Sequence, residues 1–527
     1  MYNRLELWLI NGGKRYVYFG VWIMIQVALF TIAYFQLQGN PVWSNMHKLL
    51  GTTFLTARAS ALALHVDTAL VLYPVCRTTI TWVRRTPLNR VIPFDHALLF
   101  HQIIGYSIVL FTFVHAASHY YNYYLVMKAT GVSYWFLMFA TGHGLTGNTM
   151  MAVILVMGYT AREKVRRRHF NWFWNLHHLF VVYFALFSIH GSFCLLKYNL
   201  PPYCVRGGSF WKFWVGSGVL YLFERLAREF RAERRSRAMK VQKVILHPSK
   251  VVEVQLRKPS GFNGLAGQYA FINCPAVSTQ QWHPFTLTSA PEEDYVSMHI
   301  RVCGDWTTAF SEALGATPEH WSILPQVLVD GPFGSASEDV FDYEVTMLFC
   351  AGIGCTPFAS VLKSIWYRLN YARDAARLRK VYFFWVQRDT KSFEWFQDLL
   401  KAIEEEEDAR REAYEDIHAY SLKRATGDQM IEIHSYLTGK LSMMQLANVH
   451  LNKGDVDPIT GLKSPTNFGR PNMDLIFRAV AHAHPCTNVG VFFCGPAALG
   501  SSIKSAAKKW TNDSPDGTKF YYNKENF

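Results

Sequence analysis

The stretch HHLFVVYFALFSIHG, residues 177–191, is apolar enough to lie in a membrane, yet it opens on two histidines and closes beside a third. An ionisable side chain in hydrocarbon is costly unless paired, so intramembrane histidines point to function before packing. A second apolar run, residues 96–121, carries His101 and His115, with His119 one turn further on. Neutral imidazole suits the axial position of haem iron, because one ring nitrogen donates to the metal while the other ring N–H finds a partner. His101 and His115 are 14 residues apart and His177 and His190 are 13 apart. At ~1.5 Å rise per residue these gaps are ~21 and ~20 Å. The match predicts two stacked sites, His101 with His177 and His115 with His190. Helix arithmetic leaves His177 against His178 undecided: 14 steps return to within ~40° of one face, whereas 13 leave ~140° and 12 leave ~120°. A proton relay or a set of interhelical hydrogen bonds is the competing reading of the four, and His119 by itself reads as a hydrogen-bonded helix histidine.

Outward from these runs, 527 residues exceed one ordinary core, so two or three folded units are expected. Residues 1 to about 230 hold six runs near the ~20 residues a helix needs to cross a bilayer: 17–37, 51–75, 96–121, 143–160, 173–192 and 209–226. The first is longer than a signal h-region and lacks a small-residue cleavage site, so it is expected to be retained. The net charge of +14 gathers beside the runs, in Arg77, Arg84, Arg85 and Arg90, in Arg162, Lys164, Arg166, Arg167 and Arg168, and in ERLAREFRAERRSRAMK at 224–240. Juxtamembrane clusters of this kind exclude nucleic acid as partner and place both termini in the cytosol. Cys194 and Cys204 fall in an external loop, where a disulfide is expected over two free thiols.

Beyond the basic hinge the texture changes. VQKVILHPSKVVEVQLRKP and YVSMHIRV are short, β-branched and partly alternating, which predicts a small antiparallel barrel or sandwich over 231–345. From Val345 the pattern is apolar strand, glycine turn, helix, then VYFFWV and VGVFFCGP, which predicts a parallel α/β sheet over 346–527. The acidic run 404–408 reads as a solvated helix face or loop, and 447–471 as an inserted polar loop. HPFTLTSAP (283–291) and HIRVCGDWT (299–307) bring arginine and hydroxyl donors together in a manner suited to a flavin pyrophosphate. GIGCTP (352–357) stands between strand and helix, where glycines admit a pyrophosphate to the helix N-terminus, and no lysine follows as in a triphosphatase loop. Arg388 after FFWVQ and Arg470 in FGRP are candidates to grip a 2'-phosphate, which would select NADPH over NADH.

HPFTLTSAPEEDY, HIR, GDWT, AGIGCTPFAS, GRPNMD, FCGP and the terminal NKENF, together with the paired histidines, resemble the catalytic subunit of the phagocyte-type NADPH oxidases over nearly the whole chain. The resemblance implies a six-helix membrane domain (1–230) with two b-type haems, an FAD-binding β-barrel (231–345) and a Rossmann-like NADPH domain (346–527). It implies His101, His115, His177 and His190 as iron ligands, with His177 in place of His178. It carries flavin contacts onto His283, Pro284, Phe285, Thr286, Thr288, Ser289, His299 and Arg301. Nucleotide contacts fall on Gly352, Gly354, Thr356, Pro357, Arg388, Arg470, Cys494, Gly495 and Pro496. Phe527 would cover the flavin, and Arg58 (in ARAS) and His119 would line the oxygen site. The implied activity is electron transfer from cytosolic NADPH to molecular oxygen on the opposite side, yielding superoxide, with a ferric or cupric chelate reductase as the alternative. Implied partners are membrane lipid, cytosolic activators including a Rac-type GTPase, and a small membrane subunit, in a plasma or phagosomal membrane. The chain departs from the family at Tyr183, where members often have Phe between the haems, and at Val386 or Gln387, where they often have Cys. No EF-hand loop is present, so direct activation by calcium is not expected.

Overall fold

The computed structural model describes residues 4–193, 209–315, 324–371, 377–418, 430–451 and 454–525. Cys194, Cys204 and Phe527 lie outside these residues. The chain forms two compact units, one of residues 14–226 and one of residues 1–13 with 227–527.

In the first unit, five helices among the described residues are long and apolar enough to cross a membrane: Lys14–Gln38, Thr52–Val75, Phe94–Thr130, Gly142–Ala161 and Phe170–His190. Their ends follow local rules. Gly131, at φ +72°, ends the third span in a left-handed cap, and the Thr141 side chain accepts from Gly144 N to start the fourth. The run expected at 209–226 lies in a helix over Trp211–Ser236 that turns charged from Glu224 onward, and it is not one of the five. Glu224 itself is buried and accepts from Thr78 N, Thr79 N and Thr79 Oγ1 at 2.8–3.0 Å. A carboxylate there satisfies first-turn N–H groups of helix Arg77–Arg84 and complements its positive end. The fifth span is broken: helix Phe170–His177 and helix Phe180–His190 flank a turn at His178 and Leu179. Trp22, Leu64, Ile104, Ile108, Ile154, Phe184 and Phe187 pack the interior of this unit.

The second unit begins its sheets with β1 (Val241–His247), β2 (Val251–Arg257), β3 (Tyr269–Asn273), β4 (His283–Thr286), β5 (Tyr295–Arg301) and β6 (Leu328–Phe333). They form two antiparallel three-stranded sheets, β1-β2-β5 and β4-β3-β6, closed over Val254, Leu256, Ala270, Ile272, Met298 and Ile300. This is the small barrel that the alternation predicted. Arg228 is tied to Asp330 of β6 at 2.6 Å.

Next come β7 (Val345–Ala351), β8 (Lys380–Gln387), β9 (Ile431–Leu437), β10 (Asn467–Phe468), β11 (Asn488–Cys494) and β12 (Lys519–Lys524). They make one parallel sheet in the order β10-β9-β8-β7-β11-β12. β8 is buried along its whole length, as a strand covered on both faces by helices must be. The acidic run lies in helix Glu394–His418, but the reading of a solvated face fails at Glu404. That carboxylate is buried and accepts from Lys463 N, Ser464 N and Ser464 Oγ at 2.5–3.0 Å. The segment 447–471 is less loop-like than expected. Helix Met443–Leu451 runs into it and β10 ends it, while Asp457 accepts from Thr460 N and Thr466 N at 2.9 Å to fold the turn between them.

Candidate functional site: imidazole pairs, a flavin barrel and a nucleotide sheet

The third span carries His101 and His115. Each turns Nδ1 toward a carbonyl at 2.8 Å, His101 to Val71 O and His115 to Ala57 O, both from the second span. His190 turns Nδ1 to Thr146 Oγ1 of the fourth span at 2.7 Å. His177 Nδ1 is buried with no hydrogen-bond partner among the described residues. The rings meet in two pairs: His101 and His177 have centroids 6.2 Å apart, and His115 and His190 6.4 Å. Iron held between two imidazoles at ~2 Å per bond needs ring centres ~6.3 Å apart. Both pairs therefore fit a bis-histidine haem, with Nδ1 of His101, His115 and His190 spent on neighbouring spans and Nε2 left for metal.

His178 bonds Trp174 O through Nδ1 at 2.7 Å on the exposed side, and His177 is the residue facing His101. Ideal wheel arithmetic was undecided because it assumed one unbroken helix, whereas the turn at His178 and Leu179 resets the phase between His177 and His190.

Arg58 follows Ala57, the acceptor for His115, and its guanidinium lies 4.5 Å from the Trp43 ring centre. His119 has its ring centroid 4.6 Å from that of His115. Both candidates thus stand at the His115–His190 pair. Tyr183 is buried on the fifth span between His177 and His190, stacked on Phe187 at 6.0 Å. Sequence reasoning missed His65, stacked on Phe213 at 4.1 Å, and the buried Asp67 bonded to Gln26 and Ser107. A lone carboxyl inside the run 51–75 was the available signal.

In the barrel, β4 holds His283, Pro284, Phe285 and Thr286 in one row. His283 stacks on Trp306 at 4.2 Å, and Pro284 is exposed. Arg301 lies exposed at the end of β5. Thr288 and Ser289 are buried and spend their hydroxyls on β5: Thr288 Oγ1 lies 2.9 Å from His299 Nδ1, and Ser289 Oγ accepts from Ser297 N at 3.0 Å. They brace the strand ends that carry the exposed donors. His299 also faces Glu253 at 3.5 Å, and His247 faces the same carboxylate at 3.1 Å.

The nucleotide candidates gather at the carboxyl ends of parallel strands, where open α/β sheets bind ligands. β7 runs into the glycine turn Gly352–Cys355 and helix Thr356–Tyr371, with Thr356 and Pro357 buried in its first turn. A Cβ on Gly354 would lie 2.5 Å from Cys494 O and 3.2 Å from its Sγ, so the turn and the end of β11 approach through a glycine. Gly495 is nearly as confined, with a Cβ 3.2 Å from that of Ala351, and Pro496 begins the next helix as its N-cap. Arg388 follows β8 and Arg470 follows β10, both exposed on strands flanking β9. Helix Thr356–Tyr371 reaches the barrel: Ser360 Oγ donates to Ser289 O at 2.7 Å, Lys363 pairs with Glu293 at 3.2 Å and Ser364 Oγ donates to Glu292 at 2.8 Å. The helix that starts at the nucleotide turn is thus fastened to the segment that follows the flavin strand. Glu525, just before the C-terminus, is buried and accepts from Ser337 N at 2.6 Å and Ser337 Oγ at 2.5 Å.

Three family models match in chain order: a ferric reductase like transmembrane component at 67–188, an FAD-binding domain at 236–337 and a ferric reductase NAD binding domain at 343–508. NADPH oxidase 1 of Mus musculus is 34% identical, over 99% of this chain and 95% of its own length. A superoxide-generating NADPH oxidase heavy chain of Dictyostelium discoideum is 36% identical, over 100% of this chain and 99% of its own. NADPH oxidase 3 of Homo sapiens is 34% identical, over 99% of each. With three domains in the order the geometry displays and full-length likeness of this degree, the chain belongs to the NADPH oxidase family.

Proposed function

We propose that this chain is a transmembrane oxidoreductase that takes electrons from NADPH on the cytosolic side and reduces molecular oxygen to superoxide on the other, with FAD and two b-type haems as bound carriers. The observation that carries the reading is the pair of imidazole pairs, at 6.2 and 6.4 Å, in the same chain as a flavin barrel and a nucleotide sheet. Bound there, FAD supplies the conversion of a two-electron donor into single electrons, and the haems supply one-electron carriage.

His101, His177, His115 and His190 would hold the two irons, and the carbonyls of Val71 and Ala57 with Thr146 Oγ1 fix three of the rings. Arg58 and His119 present a cation and an N–H beside the second pair, where they would stabilise an oxygen anion as it forms. His283, Pro284, Phe285 and Thr286 would line the isoalloxazine, with Arg301 on the pyrophosphate and Phe527 over the ring. Gly352, Gly354 and the first turn of helix Thr356–Tyr371 would cradle the nucleotide pyrophosphate. Arg388 and Arg470 would grip the 2'-phosphate, and Cys494, Gly495 and Pro496 would seat the nicotinamide end. The juxtamembrane arginines support cytosolic termini, and the family supports a Rac-type activator and a small membrane subunit in a plasma or phagosomal membrane.

The test is NADPH and FAD added to a membrane fraction, with haem absorbance, a dismutase-sensitive superoxide probe and a ferric-chelate assay followed together. Dismutase-sensitive signal with little direct chelate reduction is the expected result. Chelate reduction that persists without oxygen and ignores dismutase would make the chain a metalloreductase and overturn the proposal.

A further inference from the structure

Asp67 lies in the second span with no solvent exposure. Its Oδ1 accepts from Gln26 Nε2 at 2.8 Å and its Oδ2 from Ser107 Oγ at 2.6 Å. Ser107 stands six residues after His101 and eight before His115. Tyr183, an electrostatic neighbour of Asp67, stands six residues after His177 and seven before His190. The carboxyl therefore sits at the level between the two imidazole pairs.

An ionised carboxylate in hydrocarbon is expensive unless a cation neutralises it, and neither partner of Asp67 is charged. Both partners can reverse their hydrogen-bonding role. Gln26 Oε1 is buried and meets no donor among the described residues; an amide rotation would let it accept from a protonated carboxyl, and the Ser107 hydroxyl rotates as readily. The pocket thus fits a carboxyl that alternates between two protonation states. Among the described residues, the titratable group that interacts with it is Tyr183 on the fifth span, and the first span contributes the amide of Gln26.

We propose that Asp67 is a redox-linked proton site, taking one proton from the aqueous phase when a haem that the imidazole pairs would hold gains one electron and returning it when that electron leaves. Only an O–H bond forms and breaks, and each cycle balances one proton against one electron. The inference rests on the haem reading above.

Spectroelectrochemical titration of the full chain in detergent, repeated across pH, tests it. The expected haem midpoint potential falls with pH on a slope approaching ~59 mV per unit, the equivalent of tenfold in proton activity. Asp67→Asn should keep haem absorbance and lose the slope, while Asp67→Glu and Tyr183→Phe keep it. If the Asn variant fails to assemble, Gln26→Met serves: removing the donor strengthens proton binding and moves the onset of the slope to higher pH. A flat profile in the unmutated chain, or an unchanged slope in Asp67→Asn, overturns the proposal. Absence of haem absorbance in the unmutated chain overturns the haem reading and this inference with it.

Discussion

In the membrane unit the site consists of side chains: four imidazoles from two spans, three of them tethered through Nδ1 to neighbouring spans. In the second unit the candidate nucleotide turn meets the end of β11 through backbone, because Gly354 and Gly495 stand where a Cβ would come within 2.5 and 3.2 Å of a neighbour. The two regions should therefore fail in opposite ways. The membrane site breaks when a side chain is removed, and the nucleotide site breaks when one is added.

The largest expected effect is at His115. Replacement by Leu keeps the span apolar but leaves His190 facing no partner imidazole, and the variant should lose half of the haem absorbance and at least ~100-fold of superoxide output. Val71 and Ala57 offer backbone carbonyls, so no side-chain change there would do the same. A His115→Leu variant with full haem content would break the comparison at its first arm.

Gly354→Ala tests the other arm. One methyl against Cys494 O forces the turn and the end of β11 apart, an overpacking cost of about 1–3 kcal/mol. Haem absorbance should be untouched while the KM for NADPH rises at least ~10-fold. Unaltered nucleotide kinetics would show that the turn has room to yield.

How far each region was legible in the sequence follows from the same contrast. The imidazole pairs were readable because histidine is conspicuous in an apolar run and helical rise converts spacing into depth. That His177 and not His178 faces His101 was not readable from periodicity, since the turn at His178 and Leu179 leaves no proline or glycine as its mark. β7, β8 and β11 announce themselves as continuous apolar strands. β9 and β12 escaped because they alternate with polar residues, as in IEIHSYL and KFYYNK. The barrel's hydroxyls are a subtler case. Thr288 and Ser289 sit in the motif, but only the fold reveals that their oxygens are already bonded to β5. Glu404 is the reverse case, an acid in a charged run that the tertiary structure buries as the acceptor for Lys463 N and Ser464 N.

A smaller effect sharpens the nucleotide side. Arg388 and Arg470 leave strands that flank β9; on the proposal that both grip the 2'-phosphate, either change to Ala should raise the KM for NADPH roughly tenfold while leaving that for NADH unchanged. Equal losses with both nucleotides would move these arginines from specificity to general binding.

The smallest effect is on the pH profile of the barrel. Burial pushes His299 down to about 4, against the opposing attraction of Glu253. Burial works against the charge on Glu253, but the hydrogen bond from His247, the charge of His299 and the Gln255 amide outweigh it and hold the carboxylate down at about 2. At neutral pH His299 is uncharged, so the His247 bond and the amide carry most of that support. The unfolded chain takes a proton on this histidine near pH ~6.5, whereas the folded barrel resists until about 4. Between those values the unfolded state binds more protons, so stability falls as pH falls, on a slope of at most ~1.4 kcal/mol per unit for one proton. Glu253 enters this slope only as pH approaches ~4.3, where the unfolded carboxylate is half protonated while the folded one stays ionised. Its contribution is lost only as pH drops further, toward about 2. Thermal unfolding of the full chain in detergent at a series of pH values should show the decline, and His299→Gln should flatten it over the upper window. A profile as steep in that variant as in the unmutated chain would assign the acid sensitivity to a different group.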